Sequence, residues 1–153
     1  MSDKKGRYYL AGPMSGYKQF NFPAFIAAAA DLRARGYEIV SPAELDAENG
    51  IDKQAMASVD GDASKLTQTW GDLLARDVKL VADQVDGVIV LPGWESSRGA
   101  RLETFVGILS KKKFFEYSER EPEESASEDF LLELHPIFVL NEIMLATVAQ
   151  NGK

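Results

Sequence analysis

At 153 residues, 45% hydrophobic and 27% charged, the chain suits one compact domain, 1–153, with an ordinary globular core. Its net charge of −7 argues against a nucleic-acid duplex as partner, since phosphate binding needs a basic surface, but leaves room for a single nucleotide in a small pocket. With no cysteine and one histidine, disulfides and thiolate chemistry are excluded and no zinc site is expected.

Arg7 to Ala11 predicts a first strand, stopped by Gly12-Pro13. Asn21 is placed to cap a helix that tolerates Pro23 in its first turn, carries Phe22, Phe25, Ile26 and Ala29 at helical spacing and ends at Gly36. Tyr37 to Val40 is a second short strand, closed by Ser41-Pro42. Ala43 to Thr67 is polar and weakly periodic, so it reads as a loop with at most one short helix, the kind of segment that often serves as a functional lid. A helix follows from about Lys65 to Asp83, with Leu66, Trp70, Leu73, Leu74 and Val81 on one face. Asp86 to Leu91 predicts a buried third strand, Ser97 to Ser110 a helix and Lys113 to Tyr117 a fourth strand. Glu116 to Asp129 holds seven acids and one base and reads as a solvated acidic loop without an assigned role. Phe130 to Leu134 is either a last strand or the exit of that loop, and Ile137 to Ala149 is a terminal helix.

Strands alternating with helices predict an α/β fold, a flavodoxin/Rossmann-like parallel sheet with helices on both faces. Ligands in such folds bind at the carboxyl ends of the strands near a switch in strand order. Two loops therefore matter most, Gly12 to Gly16 and Pro92 to Gly99, both rich in Gly and Ser. The Gly12 to Gly16 loop matches neither a dinucleotide fingerprint nor a Walker A sequence.

Three residues resist a packing explanation. Glu103 lies one turn inside its helix and leans over Gly99 and Ala100, which leave space above the carboxylate. Asp77 falls in the apolar stripe of its helix near the C-terminal end, where the dipole disfavours an anion. It either pairs with Arg76, Lys79 or a backbone group, or serves as an acid or base with a raised pKa. Asn141 shares a face with Ile137, Met144, Leu145 and Val148, as a core amide or as a contact to a ligand or partner subunit. Trp94, in the second loop, is placed either to stack on a base or to pack. His135 sits in a loop before Pro136, and no Ser in a nucleophile-elbow context supports a triad built on it. Asp60-Gly61-Asp62 lacks the remaining spacing of a calcium loop.

Tyr9-Leu10-Ala11-Gly12, Arg76-Asp77, Asp86-Gly87-Val88-Ile89-Val90 and Ser97-x-Gly99-x-x-x-Glu103 together resemble the nucleoside 2-deoxyribosyltransferase superfamily, over roughly residues 7 to 110. That superfamily includes transferases that move 2-deoxyribose between bases and 2-deoxynucleoside 5-phosphate N-hydrolases that pass it to water. The resemblance implies that Glu103 is the nucleophile at the anomeric carbon, that Asp77 positions substrate and manages the proton of the departing base, and that Tyr9 belongs to the site. Substrate contacts are also expected from Gly12, Ser15, Trp94, Ser97, Arg98, Gly99 and Asn141. Ser97 matches the serine of the nucleotide hydrolases, whereas Ser15 stands where they carry a phosphate-binding arginine, a charge that Arg98 or Arg101 would have to supply. Arg101 also replaces a small residue of the hydrolase motif.

The expected activity is cleavage of the N-glycosidic bond of a 2-deoxynucleoside or its 5-monophosphate through a glycosyl-enzyme on Glu103, released to water or to an acceptor base. The alternatives are a glycohydrolase of NAD-like dinucleotides and a non-catalytic nucleotide-binding module. Neither metal nor cofactor is expected, and a homodimer or larger homo-oligomer is implied by the resemblance. No apolar run approaches the roughly 20 residues of a membrane span, and the polar start from Met1 to Gly6 shows no signal-peptide core, so a cytoplasmic protein is expected.

Overall fold

Residues 5–48, 50, 55, 57–66, 68–118 and 131–152 are described by a computed structural model. In chain order the elements are β1 (Arg7–Ala11), α1 (Phe22–Ala34), β2 (Glu38–Val40), α2 (Pro42–Glu48), α3 (Trp70–Asp83), β3 (Gly87–Val90), α4 (Arg98–Leu109), β4 (Lys113–Tyr117), β5 (Leu131–Leu134) and α5 (Pro136–Asn151). Short 3-10 turns lie at Lys18–Asn21, Ala63–Lys65 and Trp94–Ser96. The strands form one sheet of order β2-β1-β3-β4-β5, the doubly wound arrangement whose order reverses between β1 and β3.

The first four strands pair in parallel, with Tyr9 opposite Val40 on one side and Val88 on the other. Each is nearly continuous in apolar residues, as a sheet covered on both faces requires. Alternation along β1 divides the core. Tyr8 and Leu10 join Phe25, Ala28 and Leu32 of α1 on one face. Tyr9 and Ala11 join Val81 of α3, Ala100 of α4, and Val139 and Ile143 of α5 on the other. The predicted three-layer α/β fold is therefore observed.

The exception to the parallel sheet is β5, which pairs antiparallel with β4, Phe115 opposite Glu133. A parallel return needs a crossover, usually helical. The acidic stretch between the two strands offers no apolar stripe from which to build one. Most of that stretch, 119–130, lies outside the described residues.

Helix boundaries move where side chains at the ends find better partners. α3 begins at Trp70 rather than near Lys65, because Thr69 caps it, accepting from Asp72 N at 3.2 Å. Trp70 is consequently exposed instead of packed. Asn21 precedes α1 as expected but in a left-handed conformation, without a side-chain cap. Its amide donates to Pro13 O at 3.0 Å. Between 43 and 67 the segment holds more helix than the single short one expected: α2 follows β2 directly, residues 55 and 57 are also helical, and a 3-10 turn lies at Ala63–Lys65. His135 has a structural task, its Nδ1 accepting from Ile137 N at the start of α5. Among the described residues no helix is long and apolar enough to cross a membrane.

Candidate functional site

A cleft of about 730 Å³, counted out to its open mouth, lies where the carboxyl ends of β1 and β3 meet the starts of α3 and α4. Its walls combine the first loop (Gly12, Met14, Ser15), the entry to α1 (Phe20, Phe22), Asp46 of α2, the inner side of α3 (Trp70, Leu73, Leu74, Arg76, Asp77) and the start of α4 (Ser97, Gly99, Ala100, Glu103). Leu66 and Gln68 complete it.

At its base, Tyr9 and Glu103 meet because β1 turns alternate side chains toward α4. The Tyr9 hydroxyl, fully buried, donates to Glu103 Oε1 at 3.0 Å. Burial, followed by the nearby charges of Glu103 and Asp77, holds the Tyr9 phenol well above its ordinary range, so it keeps its proton and acts as a donor. Glu103 is itself buried. Desolvation raises its proton affinity well above that of an ordinary carboxyl, and the Asp77 charge adds to this. The Tyr9 hydrogen bond and Arg76 pull the other way. Asp77 is raised by the same desolvation and restrained by Arg76 and Tyr9. Two buried carboxyls acting on one another release their protons as a pair, one of them late. Two coupled carboxyls of raised proton affinity are suited to nucleophile and acid roles.

Asp77 does not stand alone on its apolar stripe. Arg76 Nε donates to Asp77 Oδ1 at 2.8 Å, and Arg76 Nη1 lies 2.8 Å from Asp46 Oδ1. Burial works against the guanidinium charge, but the hydrogen bonds and charges of Asp77 and Asp46 outweigh it and secure the proton. Asp46 is the site residue that sequence reasoning missed. Its segment, Pro42-Ala43-Glu44-Leu45-Asp46-Ala47-Glu48, has the look of an acidic surface helix, yet Asp46 is buried. No local signal separates it from its exposed neighbours.

At the mouth, Ser97 caps α4, its Oγ accepting from Ala100 N at 3.2 Å. The hydroxyl proton stays available to a ligand, and the amides of Arg98 and Gly99 have no intrahelical acceptor by position. Gly99 meets nothing closer than Ser97 Oγ at 3.9 Å, so the space above Glu103 is real. Gly12 is needed for the opposite reason. A Cβ there would come within 3.0 Å of Leu91 Cβ, forcing the first loop away from the strand ends.

The remaining predicted contacts divide. Ser15 lines the cleft. Trp94 does not: it is buried in the core beside Val90 and Ala100, so it packs. Asn141 is neither a core amide nor a cleft residue, because the face of α5 that carries it points outward. Arg98 stands outside the lining with its guanidinium 4.8 Å above the Trp70 ring at the cleft edge. Arg101 is buried and its Nη1 donates to Glu95 O at 3.1 Å, so it brings no charge into the cleft. Among the described residues no group of three or more His, Asp and Glu is arranged to hold a metal ion.

Fold and site together define a doubly wound α/β protein with a carboxylate-lined cleft at the switch point of its sheet. Residues 6–114 match a family described as a domain of unknown function (DUF4406), and the chain belongs to that family. Comparison with curated proteins finds no match.

Proposed function

We propose that this protein cleaves the N-glycosidic bond of a 2-deoxynucleoside or its 5-monophosphate, in the manner of the nucleoside 2-deoxyribosyltransferase superfamily it resembles. The observation that carries the reading is the convergence of Asp77 and Glu103, from two separate helices, on one cleft, with the buried Tyr9 of β1 bonded to Glu103 behind it. A glycosidic cleavage passes through an oxocarbenium-like state, which a carboxylate beneath C1′ stabilises and traps. Glu103 attacks C1′ and the C1′–N bond breaks, its electron pair going to the base nitrogen, which takes a proton from Asp77. Water or a second base then attacks C1′, gives its proton to Asp77 and releases Glu103. Tyr9 aims the attacking carboxylate and favours its ionised form against the desolvation that opposes it. Ser97 and the free amides at the start of α4 suit the 5′ end of the sugar. Glu103 thus needs no metal or cofactor as partner. A non-catalytic binding module gives no reason to hold two desolvated acids against each other at a cost in stability.

The test is product analysis with deoxynucleosides, deoxynucleotides and NAD, each with and without a free acceptor base. Free base without acceptor means hydrolysis, and a new nucleoside only with acceptor means transfer. Turnover of NAD alone would select the dinucleotide alternative. No turnover across the panel, or full activity in Glu103→Ala, overturns the mechanism. We place the activity in the cytoplasm.

The same reading includes a homodimer or larger homo-oligomer. Ile137, Phe138, Met144, Leu145 and Val148 of α5 are 48–70% exposed, with Asn141 among them. Apolar patches of this kind mark contact surfaces. An amide that both donates and accepts can pair with its own copy across a two-fold axis. Sedimentation should give more than one copy for the wild type and a monomer for Leu145→Asp; a wild-type monomer at tens of micromolar would refute it.

A further inference from the structure

Arg76 and Asp77 are adjacent on α3, and adjacent helical side chains diverge by about 100° around the axis. An arginine in such a place ordinarily extends its stem and leaves its head in water. Here the head folds back over the neighbouring carboxylate and is buried down to its Nη atoms. What holds it there is Asp46, 2.8 Å from Nη1 and delivered by a different helix, α2. The fork is divided between two carboxylates, both of which line the same cleft as Glu103.

Building on the glycosidase reading, we propose that Arg76 and Asp46 are positioning residues: Asp46 anchors the Arg76 guanidinium, and the guanidinium fixes the Asp77 carboxylate in the cleft it shares with Glu103. A buried ion triad is a costly way to fasten two helices, since apolar packing of equal volume does it as well or better. Its advantage is electrostatic. The groups facing the two reacting carboxyls are Tyr9 from β1, Asp46 from α2 and Arg76 from α3. Arg76 favours the ionised form of both carboxyls, and Asp46 disfavours that of Glu103. The clamp therefore tunes the protonation of nucleophile and acid through charge and position.

The test follows the carboxyl carbons of Asp77 and Glu103 by NMR through a pH titration of the full chain, alongside the pH profile of turnover. Arg76→Met should move the pair's midpoints up by about one unit or more, the usual effect of losing an adjacent opposite charge. Asp46→Asn should move the Glu103 midpoint down, by removing a nearby negative charge, and the Asp77 midpoint up, by freeing the guanidinium. The limbs of the activity profile should follow the midpoints, with kcat falling more than KM rises. Arg76→Lys restores the charge without the fork and should return the midpoints in part while kcat stays low. Melting curves show whether each variant folds; if Arg76→Met does not, Arg76→Gln carries the same comparison. Midpoints unmoved in Arg76→Met, or an Asp77 midpoint that Asp46→Asn leaves in place, would overturn the proposal. A wild type without turnover would count against the reaction instead, because the titration reads the clamp without it.

Discussion

Replacing Tyr9 by Phe isolates one hydrogen bond. The ring is fully buried and its volume is kept, so no cavity opens. What disappears is the O–H that reaches Glu103 Oε1 at 3.0 Å. A hydrogen bond to a charged group contributes about 1.5–3 kcal/mol. If Glu103 must be ionised to attack, losing that donor should cut kcat/KM by roughly 10- to 150-fold, at about 1.4 kcal/mol per decade. The sign of the pH effect is also fixed. Tyr9 lowers the proton affinity of Glu103, so its removal raises it, and the acid limb of kcat/KM moves to higher pH. The deficit is then larger at pH 5.5 than at pH 8. The assay is release of free base by chromatography across that range, with a melting curve as control. A kcat/KM within twofold of wild type and an unmoved acid limb would refute the assignment of Tyr9 to an ionised nucleophile.

Other consequences are open to simpler measurements. Because the Glu103 carboxyl binds its proton more tightly folded than unfolded, its contribution to stability is full below the unfolded value near 4.5 and is lost as pH rises through the folded one. Glu103→Gln, which resembles the protonated form, should therefore abolish turnover yet raise the melting temperature by a few degrees at pH 8 and far less at pH 5. A lower melting temperature at pH 8 would contradict the burial argument. Ser97→Ala should cost about 1 kcal/mol by removing the α4 cap, readable as a lower denaturation midpoint that Ser97→Thr largely restores. Gly61 sits at φ +65° with its carbonyl accepting from Gly16 N at 2.9 Å, and a Cβ there would strike the backbone of Tyr17. Gly61→Ala should therefore detach the 58–61 segment from the first loop. That would appear as faster amide exchange at Gly16 and Gln19, and unchanged protection there would refute the contact.

Much of this protein is legible from residue order alone, because period and punctuation are local. The alternation of βα units, the turn at Gly12-Pro13 and the Ser97 cap followed by a helical pattern need only neighbours in the chain to be read. They place β1, β3 and α4, and with them Tyr9, Glu103 and the mouth of the cleft. Asp77 announces itself by breaking an apolar stripe. The direction of β5, by contrast, depends on which pairing the edge of β4 can offer, and an acidic sequence without an apolar stripe does not announce it.

Side-chain fate depends on tertiary structure in the same way. A loop tryptophan, a mid-helix arginine and a polar amide on an apolar face read alike whether they meet a ligand or the core. The packing of α4 and α5 decided that Trp94 and Arg101 turn inward and that Asn141 faces out. The Asp46–Arg76–Asp77 clamp joins residues about thirty positions apart, and nothing in either segment marks its partner. The sequence alone determined which carboxylates lean toward the ends of the strands. Only the folded chain, by removing water from around them, decided that they act on one another.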